Sequence, residues 1–372
     1  SSLRHQGGNS ELRLQKMGKT AIVAGVTGIV GLKLAERLLV EGWKVYGLSR
    51  RNQPYLPSAL THVAADLTDT AGCQKALGPL SDVTHVFITT WLNKGSEDEN
   101  CKVNELMVAN LFDGLSASKL EHAVLVTGTK HYMGPFEKFV DGGASEMQVP
   151  YRERLPRMPY PNFYYNQEDV MYDRAKKRGF KWNVVRPHTI IGFAPYNQMN
   201  MGMSLAVYAS ICKHLDLPFI FPGGPVSYDI FLDSTDTNLL ASHILWEISE
   251  PKAANQAFNA VNGDVFRWRW LWRAIADYFG VKVVDPTEPV IMEKLMADKG
   301  PVWDEIVKKH GLKNFKLQDL TNWWFVNIDL GRTVSCPTDM NKSRELGFTK
   351  TQDTEKAYLK LFDYLRANKY VP

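Results

Sequence analysis

Between Thr20 and Ile191, short runs of β-branched and aromatic residues alternate with stretches whose apolar positions recur at helical spacing. The strand-like runs fall at Thr20–Ala24, Lys44–Leu48, Thr61–Ala65, His85–Thr89, Ala123–Val126 and Trp182–Arg186. Between the first two, Ile29, Leu32, Leu34, Ala35, Leu38 and Leu39 make an apolar helical face, which Gly42 ends as a C-terminal cap. This rhythm predicts an α/β fold, a doubly wound parallel sheet covered on both faces by helices. Beyond Gly192 the chain turns to mixed helix and loop rich in Trp, Pro and Gly, with strand-like runs at Phe219–Phe221 and Ala257–Ala260. Trp268, Trp270 and Trp272, at every second position, suggest an extended face or a packed turn. The expected organisation is a first domain over residues 17–191 and a smaller mixed C-terminal substrate lobe over residues 192–372, packed on it. Residues 1–16 are polar, contain Gly7-Gly8 and precede Met17, and read as a disordered or vector-derived extension.

Composition narrows the function classes. The chain has 372 residues, 44% of them apolar, enough for one large or two fused domains. Charged residues make up 23%, and the net charge of +4 is spread over both signs. That pattern lacks the basic stripe a phosphate-backbone binder needs, so no nucleic acid is expected. No apolar run reaches the roughly 20 residues of a membrane-spanning helix, and the N-terminus lacks the apolar core of a secretory signal. The expectation is no membrane and a cytoplasmic location. Cys73, Cys101, Cys212 and Cys336 are isolated, without zinc-ligand spacing, and read as reduced thiols, with no disulfide and no metal.

The segment Gly25-Val26-Thr27-Gly28-Ile29-Val30-Gly31 follows the first strand and opens the first helix, the context that makes spaced glycines informative. Gly25 allows the tight turn, Gly28 lets the backbone approach a pyrophosphate, and Gly31 lets the helix pack closely on the sheet. The helix N-terminus then offers free N–H groups to phosphate. This predicts a Rossmann-like dinucleotide site; the alternative is an empty turn of the same shape. After the second strand stand Ser49-Arg50-Arg51, where an acidic residue would bind a ribose 2′-hydroxyl. Two cations suit a 2′-phosphate, which favours NADPH, the alternative being a solvated surface pair. Asp66 is placed to bind the adenine amino group, and Thr89-Thr90-Trp91 to approach the middle of the cofactor. Leu67, Thr127, Gly128, Tyr165, Pro187 and Ile190 complete the cofactor candidates.

Ordinary short-chain dehydrogenases pair a Tyr with a Lys four residues later. In Asn162-Phe163-Tyr164-Tyr165-Asn166-Gln167-Glu168-Asp169 the fourth position after Tyr165 is Asp169, so that pairing is missing. Tyr172 and Lys176 do match it. A helix crossing back to a parallel strand, however, has its first turn at the strands' carboxyl ends, and Tyr172 lies about 10 Å further along its axis than Tyr165. A Lys also stands in Thr127-Gly128-Thr129-Lys130-His131-Tyr132-Met133-Gly134-Pro135-Phe136, directly after the fifth strand.

These two segments resemble the progesterone 5β-reductase and iridoid synthase family of extended short-chain dehydrogenases/reductases. The likeness continues through Asp82–Phe87, Tyr208–His214, Phe258–Phe266, Trp323-Trp324-Phe325 and Met340-Asn341-Lys342-Ser343. The resemblance implies that Lys130 and Tyr165 are catalytic and that the protein performs NADPH-dependent 1,4-reduction of a C=C bond conjugated to a carbonyl, in an enone or enal. It also points to Phe136, Met133 and Phe325 at the substrate pocket, with Phe136 and Phe325 gating it. A carbonyl reductase or epimerase-like relative, and a non-catalytic NADP(H)-binding sensor, stay open as alternatives, as does a homodimer. His131, His188 and His214 read as structural or surface histidines.

Overall fold

Residues 18–133, 148–197 and 199–372 are described by a computed structural model. In chain order the strands are β1 (Thr20–Ala24), β2 (Lys44–Ser49), β3 (Thr61–Ala64), β4 (His85–Ile88), β5 (His122–Val126), β6 (Lys181–Pro187), β7 (Thr189–Ile191), β8 (Phe219–Ile220), β9 (Ser234–Asp236), β10 (Gln256–Ala260) and β11 (Val283–Val284). The α-helices up to Phe279 are α1 (Ile29–Val40), α2 (Thr70–Leu77), α3 (Glu97–Gly114), α4 (Lys130–Met133), α5 (Phe163–Arg178), α6 (Met201–Leu215), α7 (Pro225–Asp229), α8 (Thr237–Ser249) and α9 (Trp268–Phe279).

Seven strands form one sheet in the order β10-β6-β5-β4-β1-β2-β3. The pairings β1–β2, β2–β3, β1–β4, β4–β5 and β5–β6 are all parallel. Every residue of β1 and β4 is buried, which is why both read as unbroken apolar runs rather than as alternating ones. The chain winds outward from β1 to β3, then returns to β4 and winds the other way. Its switch point therefore lies between β1 and β4, where Ala24 pairs with Ile88 on one side and Leu48 on the other. Each sheet strand read from the sequence through β6 is present within a residue or so of its expected ends.

The chain folds as two compact units. One takes in the chain up to Thr127 together with Pro161–Val185 and Ile244–Ala257; the other takes Gly128–Tyr160, Arg186–His243 and Phe258–Pro372. The core of the first gathers Ile22, Leu48, Ile88 and Leu125 from the sheet with Leu111, Phe112 and Met171 from α3 and α5. The core of the second is aromatic, with Phe219, Phe221, Tyr228, Trp268, Trp272, Trp303 and Tyr358 buried.

Two readings of the sequence change here. Trp268, Trp270 and Trp272 lie on the helix α9, not on an extended face. Trp268 and Trp272 are one helical turn apart and buried, whereas Trp270 points the other way and is 61% exposed. Trp272 stacks flat on Phe219, at 4.0 Å and 6°, and its Nε1 bonds the Phe219 carbonyl at 3.0 Å. The buried Trp268, Leu271, Trp272, Ile275, Ala276 and Phe279 together form one helical face. The run at Ala257–Ala260 belongs to β10, which extends the main sheet beside β6.

Candidate active site

The glycine turn is built as its spacing demands. Gly25 has φ of +88°, a conformation side chains disfavour, and a Cβ there would lie 2.7 Å from Thr90 Cβ. At Gly31 a Cβ would come within 2.3 Å of the Gly25 carbonyl oxygen and 2.7 Å of Thr89 Oγ1. Thr89 Oγ1 donates to the Ala24 carbonyl at 2.8 Å, tying the end of β4 to the end of β1. Gly28 is the N-cap of α1, and no side chain caps that end. A close, uncapped helix start beside the switch point has the chemistry to receive a pyrophosphate, so the residues present fit a dinucleotide. Thr27 is held through its carbonyl, which accepts a 3.1 Å bond from the Tyr55 hydroxyl, and Ile29 and Val30 are buried in the first turn of α1.

Beyond β2, Ser49 Oγ donates to the Arg51 carbonyl at 2.8 Å and lies 2.9 Å from His62 Nε2. A hydroxyl carries one proton, so His62 Nε2–H must be the donor to Ser49. The turn this makes leaves Arg50 and Arg51 exposed. Beyond β3, Asp66 Oδ1 accepts from the Thr68 N–H at 2.9 Å and the Thr68 hydroxyl at 2.8 Å. These bonds, with the charges of Arg50 and Lys94, hold its carboxyl below the usual range, so Asp66 is an acceptor. Leu67 is buried, its carbonyl bonded by Asn110 Nδ2 at 2.8 Å.

The segment after β4 is organised by two buried asparagines that the sequence did not single out. Asn104 takes the Leu92 N–H and gives its own to the Leu92 carbonyl, both at 2.8 Å, and Asn100 Oδ1 takes the Lys94 N–H at 2.6 Å. Trp91 stacks on Phe163 at the start of α5. That start is doubly capped, by the Asn162 side chain on the Tyr164 N–H at 3.1 Å and by Glu97 Oε1 on the Phe163 N–H at 2.9 Å. Tyr165 therefore sits buried in a fixed first turn. Tyr172 lies two turns on, its ring 4.3 Å from that of Trp182.

In the other unit, α4 begins at once after Thr129, whose N–H bonds the Pro187 carbonyl at 3.1 Å. Lys130 and Met133 are buried within it. Burial and the neighbouring Arg186 push the His131 imidazole down to about 2, so it is neutral. His188, between Pro187 and Ile190, has Nδ1 2.6 Å from Asp233 Oδ1 and Nε2 against Arg332 Nη1. Guanidinium only donates, so Nε2 holds a lone pair and Nδ1–H points at Asp233. His214 is 3.7 Å from the exposed Glu305. Phe325 is buried in the helix Trp323–Leu330, capped by Asn322. Phe136 lies outside the described residues, as do residues 1–16. Among the described residues no group of three His, Cys, Asp or Glu could hold a metal ion, and no helix is long and apolar enough to cross a membrane.

The wound parallel sheet and the glycine turn at its switch point define a Rossmann-fold protein. Solved structures share this fold at low identity. An epimerase from Methanothermobacter thermautotrophicus has a TM-score of 0.68 at 15% identity, covering 96% of this chain and 95% of its own. A UDP-glucose 4-epimerase from Thermotoga maritima has a TM-score of 0.65 at 14% identity, over 94% of this chain and 99% of its own. More specifically, the chain belongs to the PRISE family: the model of the PRISE-like Rossmann-fold domain matches residues 59–372. Its curated relatives include an (S)-8-oxocitronellyl enol synthase of Nepeta racemosa, 42% identical over 364 residues, 95% of this chain and 93% of that protein. A 3-oxo-Delta(4,5)-steroid 5-beta-reductase of Arabidopsis thaliana is 38% identical over 370 residues, 96% of this chain and 94% of its own.

Proposed function

We propose that the protein is an NADPH-dependent reductase adding hydride 1,4 to the activated C=C bond of an enone or enal. The observation that carries this is near end-to-end similarity, at about two residues in five, to a steroid 5-beta-reductase and to oxocitronellyl enol synthases. The same chain holds Lys130 and Tyr165 in the segments on which the family resemblance rests.

The glycine turn with Thr27, Ile29 and Val30 would hold the pyrophosphate. Arg50 and Arg51 would hold the 2′-phosphate through charge-assisted hydrogen bonds. Ser49, Asp66, Leu67, Thr89, Thr90, Trp91, Thr127, Gly128, Pro187 and Ile190 complete the cofactor contacts in this reading. NADPH, when bound, supplies the hydride that reduces the β-carbon of the substrate. As that carbon is reduced, negative charge develops on the substrate's carbonyl oxygen. Tyr165 donates a hydrogen bond to this oxyanion, and the Lys130 ammonium favours the acidity of the phenol, an effect strengthened where water is excluded. The proton that completes the α-carbon comes from solvent. Met133 and Phe325 are the described apolar residues that would meet a hydrocarbon skeleton in this reading.

The test follows NADPH oxidation with cyclohexenone and with a monoterpene enal, and identifies the products. A saturated carbonyl product supports the reading. An allylic alcohol would instead make the protein a 1,2-carbonyl reductase, and binding of NADPH without turnover of any enone or enal would make it a sensor.

A further inference from the structure

Among the described residues, Lys130 opens the helical turn Lys130–Met133. One turn of helix cannot hold itself in water, because nucleation costs more than a single hydrogen-bonded turn returns. Tertiary contacts hold this turn, and its third residue, Tyr132, carries a well-defined pair of them. The Tyr132 hydroxyl donates to Asn259 Oδ1 at 2.6 Å and accepts from Arg186 Nη1 at 3.1 Å. Its ring lies parallel to that of Tyr151, with centroids 5.0 Å apart and 12° between planes.

The acceptor is itself immobilised. Asn259 Nδ2 donates to the Tyr151 carbonyl at 3.1 Å and to the Asp339 carbonyl at 3.2 Å, while the Asn259 N–H donates to Glu153 Oε1 at 2.9 Å. Tyr132, Tyr151 and Asn259 are all buried. Burial pushes the Tyr132 phenol up to about 12, so it stays protonated and remains a donor. Arg186 and Asn259 lie 54 and 127 residues from Tyr132 in sequence. A hydrophobic side chain of similar shape would fill the same space but take this partner from the buried Asn259 Oδ1 and Arg186 Nη1, so the hydroxyl specifies direction more than volume.

We propose that Tyr132 is a positioning residue for Lys130: its bonds to Asn259 and Arg186 set where the lysine side chain leaves the α4 turn. The proposal rests on the reading of Lys130 as catalytic. Displacement of a catalytic group by about 1 Å can cost about a hundredfold in rate, so the clasp should be visible in turnover.

The experiment compares the full chain with Tyr132→Phe, Asn259→Ala, Lys130→Ala and the double variant Tyr132→Phe/Lys130→Ala. It measures kcat and KM for an enone, NADPH affinity by fluorescence, and thermal unfolding. Tyr132→Phe is expected to lower kcat by about tenfold or more with a smaller change in KM. The decisive readout is the double variant, which should turn over no more slowly than Lys130→Ala alone, because the clasp acts through that lysine. A role in general stability would instead multiply the two losses, and that result would overturn the proposal. So would kcat within about twofold of the parent in both Tyr132→Phe and Asn259→Ala while Lys130→Ala is strongly impaired. An unimpaired Lys130→Ala removes the catalytic reading of Lys130 itself, and the positioning role with it. Should Tyr132→Phe fail to fold, Asn259→Ala carries the same comparison in single and double form.

Discussion

The ring of Trp91, just beyond β4, lies flat against the ring of Phe163 at the start of α5, with centroids 5.1 Å apart and 13° between the planes. The contact joins a cofactor candidate to the helix turn that carries Tyr165. Trp91→Ala should weaken NADPH binding and lower turnover, with a stability loss of about 1 kcal/mol for the lost aromatic pair beyond its burial. Trp91→Phe, which keeps a stacking face, should recover most of both. Fluorescence titration and steady-state rates check this; equal rates for the Ala variant and the parent would show the stacking to be idle.

Gly31 and Gly42 separate two reasons for a glycine. A methyl group at Gly31 meets the Gly25 carbonyl at 2.3 Å, a backbone atom of the phosphate turn that cannot swing aside. Gly31→Ala should therefore destabilise the fold by about 1–3 kcal/mol and also impair NADPH binding. Gly42 has open space around it but a φ of +82°. Gly42→Ala should cost about 1–2 kcal/mol of stability and leave NADPH affinity unchanged. Chemical unfolding of both variants alongside cofactor titration distinguishes the two effects.

Arg50 and Arg51 are exposed beside the ionised Asp66, so their charge is available to a phosphate without the cost of burial. The unmodified protein should bind NADPH much more tightly than NADH. Replacing both arginines by Ala should erase most of that difference by weakening NADPH alone. Equal affinity of the parent for the two cofactors would reject the assignment.

Tyr165→Phe should severely reduce turnover with little loss of NADPH binding. Tyr172→Phe and Lys176→Ala should keep most activity, since Tyr172 packs on Trp182 two helical turns from the first turn of α5. Lys130→Ala should impair turnover. If a well-folded Tyr172→Phe variant were inactive while Tyr165→Phe turned over normally, the site would have to be moved.

What the sequence by itself determined follows from local rules. A strand buried on both faces is mostly apolar on both, so Ala21–Ala24 of β1, Val86–Ile88 of β4 and Ala123–Val126 of β5 were visible as runs. The glycines of the turn after β1 are required by backbone sterics within seven residues, so their spacing was enough to predict that turn. The segments around Lys130 and Tyr165 were singled out by their resemblance to a known family, not by a local rule. Only the tertiary structure decided what depends on distant partners. The apolar positions Trp268, Leu271, Trp272, Ile275, Ala276 and Phe279 do recur at helical spacing, a local signal that the alternating tryptophans obscured; what the tertiary structure adds is the partner, Phe219 packed on Trp272. A short apolar run such as Ala257–Ala260 is equally at home in several places until the edge of β6 accepts it as β10. Asn104, Glu97 and Tyr132 look like ordinary surface or core residues in the linear chain. Their roles appear only on folding: Glu97 and Tyr132 bond partners 66 and 127 residues away, and the buried Asn104 bonds the Leu92 backbone, 12 residues before it.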